Sequence, residues 1–392
     1  MRSFLFWLSF LSGFIAHGGN LFGATNSQPA TLTINAPSPA GLSVMTYNTH
    51  GNGIADWSTN SLQVQAIGRQ LIYLNPDVIT FQEIPRTNTY QMANWIKAFL
   101  PGYFLATNSG TDGFIRSAIA SRYPITRSQN WLDGADLDPF GYTNSNFTRD
   151  LFEAQLSLPN FPQPIHIFTT HLKSGNSSSD DAAKRGAEAL AISNYFVTGF
   201  LTTNASHPYL LTGDMNEDIA RPSTGSQQPI QRMVNTATGL QLTTPLNPFT
   251  SDDRTFSIQA ASLSKRYDYI LPGGILFSNL LSSQVFRTDL LSPVPPTLQQ
   301  FDDKTASDHL PVLMIFSNPY QTPFRITSIN VSNQFVTLNW QSEIGRQYQV
   351  QNSSNLINWT TLATNLLATG TNFVFTTNLM DSAQFFRIYR AP

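Results

Sequence analysis

Six short stretches of this chain put oxygen donors or imidazoles at or beside apolar runs. They are TYN at Asn48, FQE at Glu83, TTH at His171, LLTGDMNED at Asp214 and Asn216, YDYIL at Asp268, and SDHLPV at Asp308 and His309. Taken singly, each has an ordinary reading: Gly, Asp and Asn are common turn formers, and a lone histidine often sits satisfied in a core. Taken together they are chemically coherent. Carboxylates and side-chain amides are hard oxygen ligands suited to Mg²⁺, Mn²⁺ or Ca²⁺. His171 and His309 lie outside the carboxylate set and are free for proton transfer and charge stabilisation. There are no cysteines, so thiol nucleophiles and thiolate metal sites are excluded. No His-x-x-x-His, G-x-S-x-G or P-loop pattern is present. A hard cation with acid–base histidines suits hydrolysis of a phosphate ester, in which the cation offsets phosphoryl charge and a base activates water.

The elements that must position these groups alternate between strands and helices. GLSVMTYN (41–48), NPDVITFQE (75–83), IRSAIASRYPI (115–125), LFEAQLSL (151–158) and PIHIFTTHL (164–172) read as strands. HPYLLTGDMN, KRYDYILP and HLPVLMIF supply three more. SLQVQAIGRQLIYL (61–74) carries Val64, Ile67, Leu71 and Leu74 at helical spacing, and DAAKRGAEALAISNYF (181–196) reads as a second helix. In such α/β chains, sites assemble at strand ends. After Asn318–Pro319 the pattern changes: VTLNW, YQV, NFVF and FFRIY are short strands between Asn/Ser/Gly turns, which predicts a small all-β module over 321–392.

Only 12% of the 392 residues are charged and the net charge is −2, so there is no basic signature of passive nucleic-acid binding. Arg2 followed by the apolar run Phe4–Ile15 reads as a secretory signal over 1–24, with a Ser/Thr/Pro/Ala-rich linker over 25–40. No later segment is apolar enough to span a bilayer, so the expectation is a secreted or periplasmic protein.

The stretches MTYNTHG, FQEI, SAIASRYPI, TTHLKSG, LTGDMNED, RYDYIL and SDHLPV resemble the ordered motif series of the endonuclease/exonuclease/phosphatase superfamily, which includes pancreatic deoxyribonuclease. The resemblance covers about 41–317 and is carried by the set rather than by any one motif. It implies a four-layer α/β/β/α sandwich of two mixed sheets, followed by the small β-sandwich module. It also implies roles. Asn48, Glu83 and Asp308 would bind or flank the metal, Glu83 most directly. His171 would contact the scissile phosphate. Asp214 and Asn216 would position water and phosphate. Asp268 would orient a histidine, Asp308 would lie beside the metal or orient His309, and either His309 or Asp214 would be the base. Arg149, in FTRDLFEAQL, and Thr255, in RTFS, would contact phosphate. The implied cofactor is Mg²⁺, with Mn²⁺ or Ca²⁺ as alternatives.

The resemblance leaves several substrates open. THLKSG followed by Lys184 and Arg185 resembles secreted bacterial nucleases, which makes DNA or RNA the first expectation. Residues 41–317 carry 17 Lys/Arg against 22 Asp/Glu, which argues mildly against strong phosphate-backbone binding. A phospholipid or sugar-phosphate esterase is the alternative, and LDPFGYTNSNF (137–147) is the candidate membrane-facing loop. A non-catalytic binding protein on the same fold would be expected to lose metal and base residues, and none of the set is missing. The tail has four Lys/Arg, two Asp/Glu and no His, so it reads as a spacer or as a glycan- or surface-contacting module.

Overall fold

The computed structural model describes residues 2–5, 41–50, 57–85, 89–110, 112–159, 161–175, 177–320, 325–332, 334–378 and 385–390. The signal and linker expected over 1–40 therefore lie outside the described residues, apart from strand β1 (Arg2–Leu5). A larger unit spans Gly41–Tyr320, and a smaller one contains β1 and the C-terminal strands.

In the larger unit the order is β2 (Gly41–Asn48), α1 (Leu62–Leu74), β3 (Val78–Pro85), α2 (Thr89–Phe99), β4 (Phe104–Thr107), β5 (Ile115–Ser121), β6 (Ile125–Trp131), β7 (Leu151–Leu156) and β8 (Ile165–His171). Then come α3 (Ser179–Tyr195), α4 (Leu201–Asn204), β9 (Tyr209–Asp214), α5 (Pro229–Met233), β10 (Asp268–Gly273), β11 (Leu280–Val285), α6 (Asp302–Ala306) and β12 (Val312–Ser317). They form a six-stranded sheet, β11-β12-β2-β3-β5-β4, and a five-stranded sheet, β10-β9-β8-β7-β6. Both sheets are mixed: β2/β3 and β8/β9 are parallel and the remaining pairs antiparallel. Each parallel pair is joined through a helix, α1 or α3, as a crossover requires.

Strand period sets the layers. Leu42, Val44 and Val78 of one sheet and Ala154, Ile165, Ile167, Leu210 and Ile270 of the other form one apolar cluster between the sheets. Phe168 and Leu211, one residue out of phase, face outward and pack with Ala187, Ile192 and Phe196 at α3 and just after it. On the other outer face, the Gln70 amide of α1 donates to the Tyr47 hydroxyl at 3.2 Å, and Trp95 of α2 meets Phe81 edge-on at 6.2 Å. The result is the four-layer α/β/β/α sandwich. Toward the site the inter-sheet layer turns polar. Gln82 Nε2 donates to Thr169 Oγ1 at 2.9 Å and the Thr212 hydroxyl to that of Thr80 at 2.8 Å, so buried polar groups are satisfied across the sheets.

One expected strand is divided. IRSAIASRYPI ends as β5 at Ser121, and β6 begins at Ile125 in the opposite sheet. Pro124 lies in the turn between them, where its missing N–H takes nothing from a ladder. Arg122 closes the turn onto Asp77, its backbone N–H donating to Asp77 O at 2.8 Å.

The smaller unit comprises β13 (Ile326–Ser332), β14 (Phe335–Gln341), β15 (Gln347–Ser353), β16 (Thr360–Leu367), β17 (Asn372–Asn378) and β18 (Phe385–Arg390), with β1 antiparallel to β18. They form antiparallel sheets β1-β18-β15-β16 and β13-β14-β17. The VTLNW alternation is realised: Val336, Leu338 and Trp340 are buried with Tyr348, Val350 and Ile388, while Thr337 and Asn339 are half-buried.

Candidate active site

The polar groups converge because of strand direction. Asn48, His171 and Asp214 are the last residues of β2, β8 and β9, and Glu83 lies near the end of β3. Asp268, by contrast, starts β10, and His309 precedes β12. Both strands run antiparallel to their neighbours, so their beginnings lie at the same edge. Asp268 stands directly opposite Asp214, and Val312 opposite Thr46.

Local backbone features aim the side chains. The β3/β5 register shifts between Phe81 and Ile84, and Glu83 within the shift has φ +61°, which turns its carboxylate out of the ladder into the cleft. Gly213 has φ +138°, and a Cβ there would lie 1.9 Å from Thr170 O, so only glycine lets β9 approach β8 here. Asp214 Oδ1 then accepts the Asn216 N–H at 2.8 Å, which leaves Oδ2 for the cleft.

Asp214 Oδ2 is where the two sheets meet. Asn48 Nδ2 donates to it at 2.8 Å and also lies 3.1 Å from Glu83 Oε1. His171 Nε2 is 3.4 Å from the same oxygen and His309 Nε2 is 3.7 Å from it. His309 Nδ1 is 2.8 Å from Asp268 Oδ2. The Ser307 hydroxyl donates to Asn48 O at 2.8 Å and its oxygen accepts the His309 N–H at 3.0 Å, which fastens the His309 loop to β2. Asp308 Oδ1 is 3.0 Å from His50 Nδ1 and 4.0 Å from His309 Nε2. Glu83, His171, Asp214, Asn216, Asp308 and His309 all line one cleft of about 320 Å³, whose walls include Phe256 and Tyr267. Phe256 stacks on Tyr267 at 5.0 Å and leans on the His309 ring at 4.9 Å.

Two expected phosphate contacts have other principal partners. Arg149 lines the cleft, but its guanidinium donates to His171 O and Leu172 O, each at 3.0 Å, and pairs with Asp112 at 2.9 Å. Thr255 is fully buried, and its hydroxyl donates to Asp268 Oδ2 at 2.6 Å rather than facing the cleft. Arg185, part of the arrangement that resembles secreted nucleases, is also fully buried. His50, in the quoted MTYNTHG, lines the cleft although the sequence assigned it no role.

The electrostatics differ between the histidines. Burial pushes His171 well below the ordinary value, helped by the Arg149 and His309 charges, so it is held neutral. Burial also opposes charge on His309, but Asp268 and Asp214, together with the Nδ1 bond to Asp268, outweigh it and raise the group to about 10. Burial raises Asp214, and the nearby Asp268 adds to the effect while His309 opposes it. Asp308 falls below the carboxylate range: burial works against this, and the His50 and His309 interactions overcome it.

The donor set fits a hard divalent cation. Glu83, His171 and Asp214 bring ligand atoms within 4.8 Å of one another, and the Glu83 and Asp214 carboxylates converge on one neutral amide, Asn48 Nδ2. Among the described residues Asp268 Oδ1 is buried without a hydrogen-bond partner, so carboxylate charge here exceeds the local donors.

No curated protein matches the chain. Among solved structures it is similar to truncated Caenorhabditis elegans TDP2 (17% identity, 71% of this chain and 98% of that one, TM-score 0.47). It is also similar to an endonuclease/exonuclease/phosphatase from Bacteroides vulgatus (15% identity, 71% and 98% covered, TM-score 0.49). The human Nocturnin catalytic domain with bound sulfate shows 16% identity, with 71% and 93% covered and a TM-score of 0.49. The Endonuclease/Exonuclease/phosphatase family profile matches residues 45–309, from inside β2 to the histidine that precedes β12. That match takes in more than half of the chain and every candidate site residue, and with it this chain belongs to the Endonuclease/Exonuclease/phosphatase family of metal-using phosphoric ester hydrolases.

Proposed function

We propose that this chain is an exported, Mg²⁺-dependent phosphodiesterase whose substrate is a nucleic acid. The observation that carries the reading is the convergence on Asp214 Oδ2: Asn48, His171 and His309 all reach this oxygen from separate elements within one open cleft.

In this reading Glu83 and Asn48, with Asp308 beside them, hold the cation. When bound, it supplies charge neutralisation at the phosphoryl oxygens. Water attacks phosphorus and gives its proton to the Asp214 carboxylate, which burial makes more basic, while His309, held charged by Asp268 and Asp214, stands beside it as the imidazolium. The Asp268 carboxylate fixes the His309 ring through Nδ1 and leaves Nε2 toward Asp214. His171, held neutral, offers a ring N–H to the phosphate. As the ester bond breaks, the leaving oxygen is protonated from the same groups or from solvent.

The cleft favours a single phosphodiester over a polyphosphate. Among the described residues Arg149 is its only Lys or Arg lining residue, and that guanidinium already donates to two carbonyls and pairs with Asp112. The phospholipid alternative has little support from the 137–147 loop: Phe147 is buried, Phe140 and Tyr142 pack against the core, and Tyr142 OH donates to Asp180 at 2.9 Å. Export rests on Arg2 and the Phe4–Ile15 run. Cleavage after that segment would remove β1 and leave β18 an edge strand.

Nicking of supercoiled plasmid tests the reading. Purified chain with Mg²⁺ is expected to nick, while EDTA or His309→Ala abolishes nicking. A folded, Mg²⁺-loaded chain that leaves the plasmid intact would reject the nucleic-acid substrate and turn attention to lipid and sugar phosphates.

A further inference from the structure

Arg185 and Glu188 take no part in the chemistry above, yet both are fully buried on α3, three residues apart and so on one face. Their hydrogen bonds run to segments that carry site residues. Arg185 NH1 donates to Lys173 O and to Gly175 O, each at 2.8 Å. Arg185 NH2 donates to Glu217 Oε2 at 3.0 Å and to the Ser223 hydroxyl at 2.8 Å. Glu188 Oε2 accepts the Lys173 N–H at 2.7 Å, and Oε1 accepts the Thr148 N–H at 2.8 Å together with the Thr148 hydroxyl.

Lys173–Gly175 follows His171 after Leu172, Glu217 follows Asn216, and Thr148 precedes Arg149. The remaining contacts close the ring. Arg149 donates to His171 O and Leu172 O, and Asn216 Nδ2 donates to Leu172 O at 3.1 Å. A chain leaving a strand normally turns such peptide groups to water. Here charged side chains fill that role for the segment that carries His171. A buried ion pair does little for stability against a packed apolar pair. The fork of Arg185 instead spans two carbonyls and a carboxylate at once, which a lysine cannot do.

We infer that Arg185 and Glu188 are positioning residues: a buried clamp from α3 that holds the His171 segment in register with Asp214 and Arg149. The inference rests on the phosphodiesterase reading for its effect on turnover, but not for its effect on backbone order. Misplacing a reacting group by ~1 Å is enough to lower turnover by about 10²-fold.

The test uses the full chain with Mg²⁺, a chromogenic aryl phosphodiester as probe, and Glu188→Gln, Arg185→Lys and Arg185→Ala. Exchange of the amides at 172–175 is expected to speed up about tenfold or more in each variant, while the β2 amides stay unchanged. On the order of 10²-fold loss of kcat is expected with KM nearly constant. Lysine should fail to rescue, whereas added guanidinium should restore part of the kcat of Arg185→Ala. Unchanged exchange, or kcat within about twofold of the parent in a folded variant, would overturn the clamp. If an Arg185 variant does not fold, the isosteric Glu188→Gln decides. If the parent hydrolyses no phosphodiester, the exchange result still decides the clamp, and only the functional reading falls.

Discussion

His309 Nδ1 stands 2.8 Å from Asp268 Oδ2, and that same oxygen accepts the Thr255 hydroxyl at 2.6 Å. One carboxylate oxygen thus fixes the ring and favours its charge, while the hydroxyl holds the carboxylate. Asp268→Asn keeps the shape but replaces an acceptor and removes a charge. It is expected to lower kcat by about 10²- to 10⁴-fold with little change in KM. Thr255→Val should give a smaller loss, on the order of tenfold, because the carboxylate keeps its charge and loses one hydrogen bond. Steady-state kinetics with circular dichroism as a folding control check both. Near-parental turnover of Asp268→Asn would remove the charged Asp268–His309 pair from the chemistry.

Cation binding should register as stability. Mg²⁺ is expected to raise Tm in the parent and EDTA to reverse it, by about 2.7 kcal/mol at a hundred times Kd. Glu83→Gln leaves Asn48 and Asp214 in place but halves the converging carboxylate charge. It should abolish most of the Mg²⁺-dependent shift while leaving the metal-free Tm close to the parent's. A full Mg²⁺ response in Glu83→Gln would place the cation elsewhere.

Asp150 offers a pH test outside the chemistry. It is fully buried, accepts amide donors from Asn108 and Asn130 at 2.6 Å each, and burial raises it to about 7. The folded value lies above the unfolded value of about 4, so protonated Asp150 favours the fold. This contribution is full below about pH 4 and is lost as pH rises through 7. Asp150→Asn should therefore flatten stability between pH 5 and 8 relative to the parent, a difference on the order of a few kcal/mol. Denaturant titrations at several pH values measure it, and parallel curves for the two chains would reject the assignment.

Gly213→Ala tests how closely β8 and β9 approach. The added Cβ would meet Thr170 O at 1.9 Å, a backbone atom that cannot swing aside. A loss of about 4 kcal/mol or more is expected, together with loss of activity because Asp214 is the next residue. A soluble variant with parental Tm would contradict the φ of +138° at this position.

Trp340→Ala should separate the two units. Trp340 is fully buried in the core of the smaller unit, and truncating such a ring costs about 3–5 kcal/mol. The smaller unit is expected to melt early while the calorimetric transition and hydrolytic activity of Gly41–Tyr320 persist. Loss of both together would mean that the larger unit depends on the module.

The sequence by itself determined the donor set, its order and the apolar runs beside it. Alternation in VTLNW and the helical spacing of Val64, Ile67 and Leu71 reach burial directly, because the facing of a side chain within one element follows from its local period alone. Membership of the family was legible for the same reason: the motifs are contiguous. What only the tertiary structure decided is which groups meet. Asp268 begins its strand rather than ending it, and it reaches Asp214 because β10 runs antiparallel to β9. Arg185 is a charged residue beside Lys184 in a helix, yet it turns inward to carbonyls ten and twelve residues back and to a carboxylate 32 residues ahead. Thr255 serves Asp268 rather than the cleft. Each outcome depends on strand pairing, register and the satisfaction of buried polar groups between distant segments, and those are fixed only when the sheets close on each other.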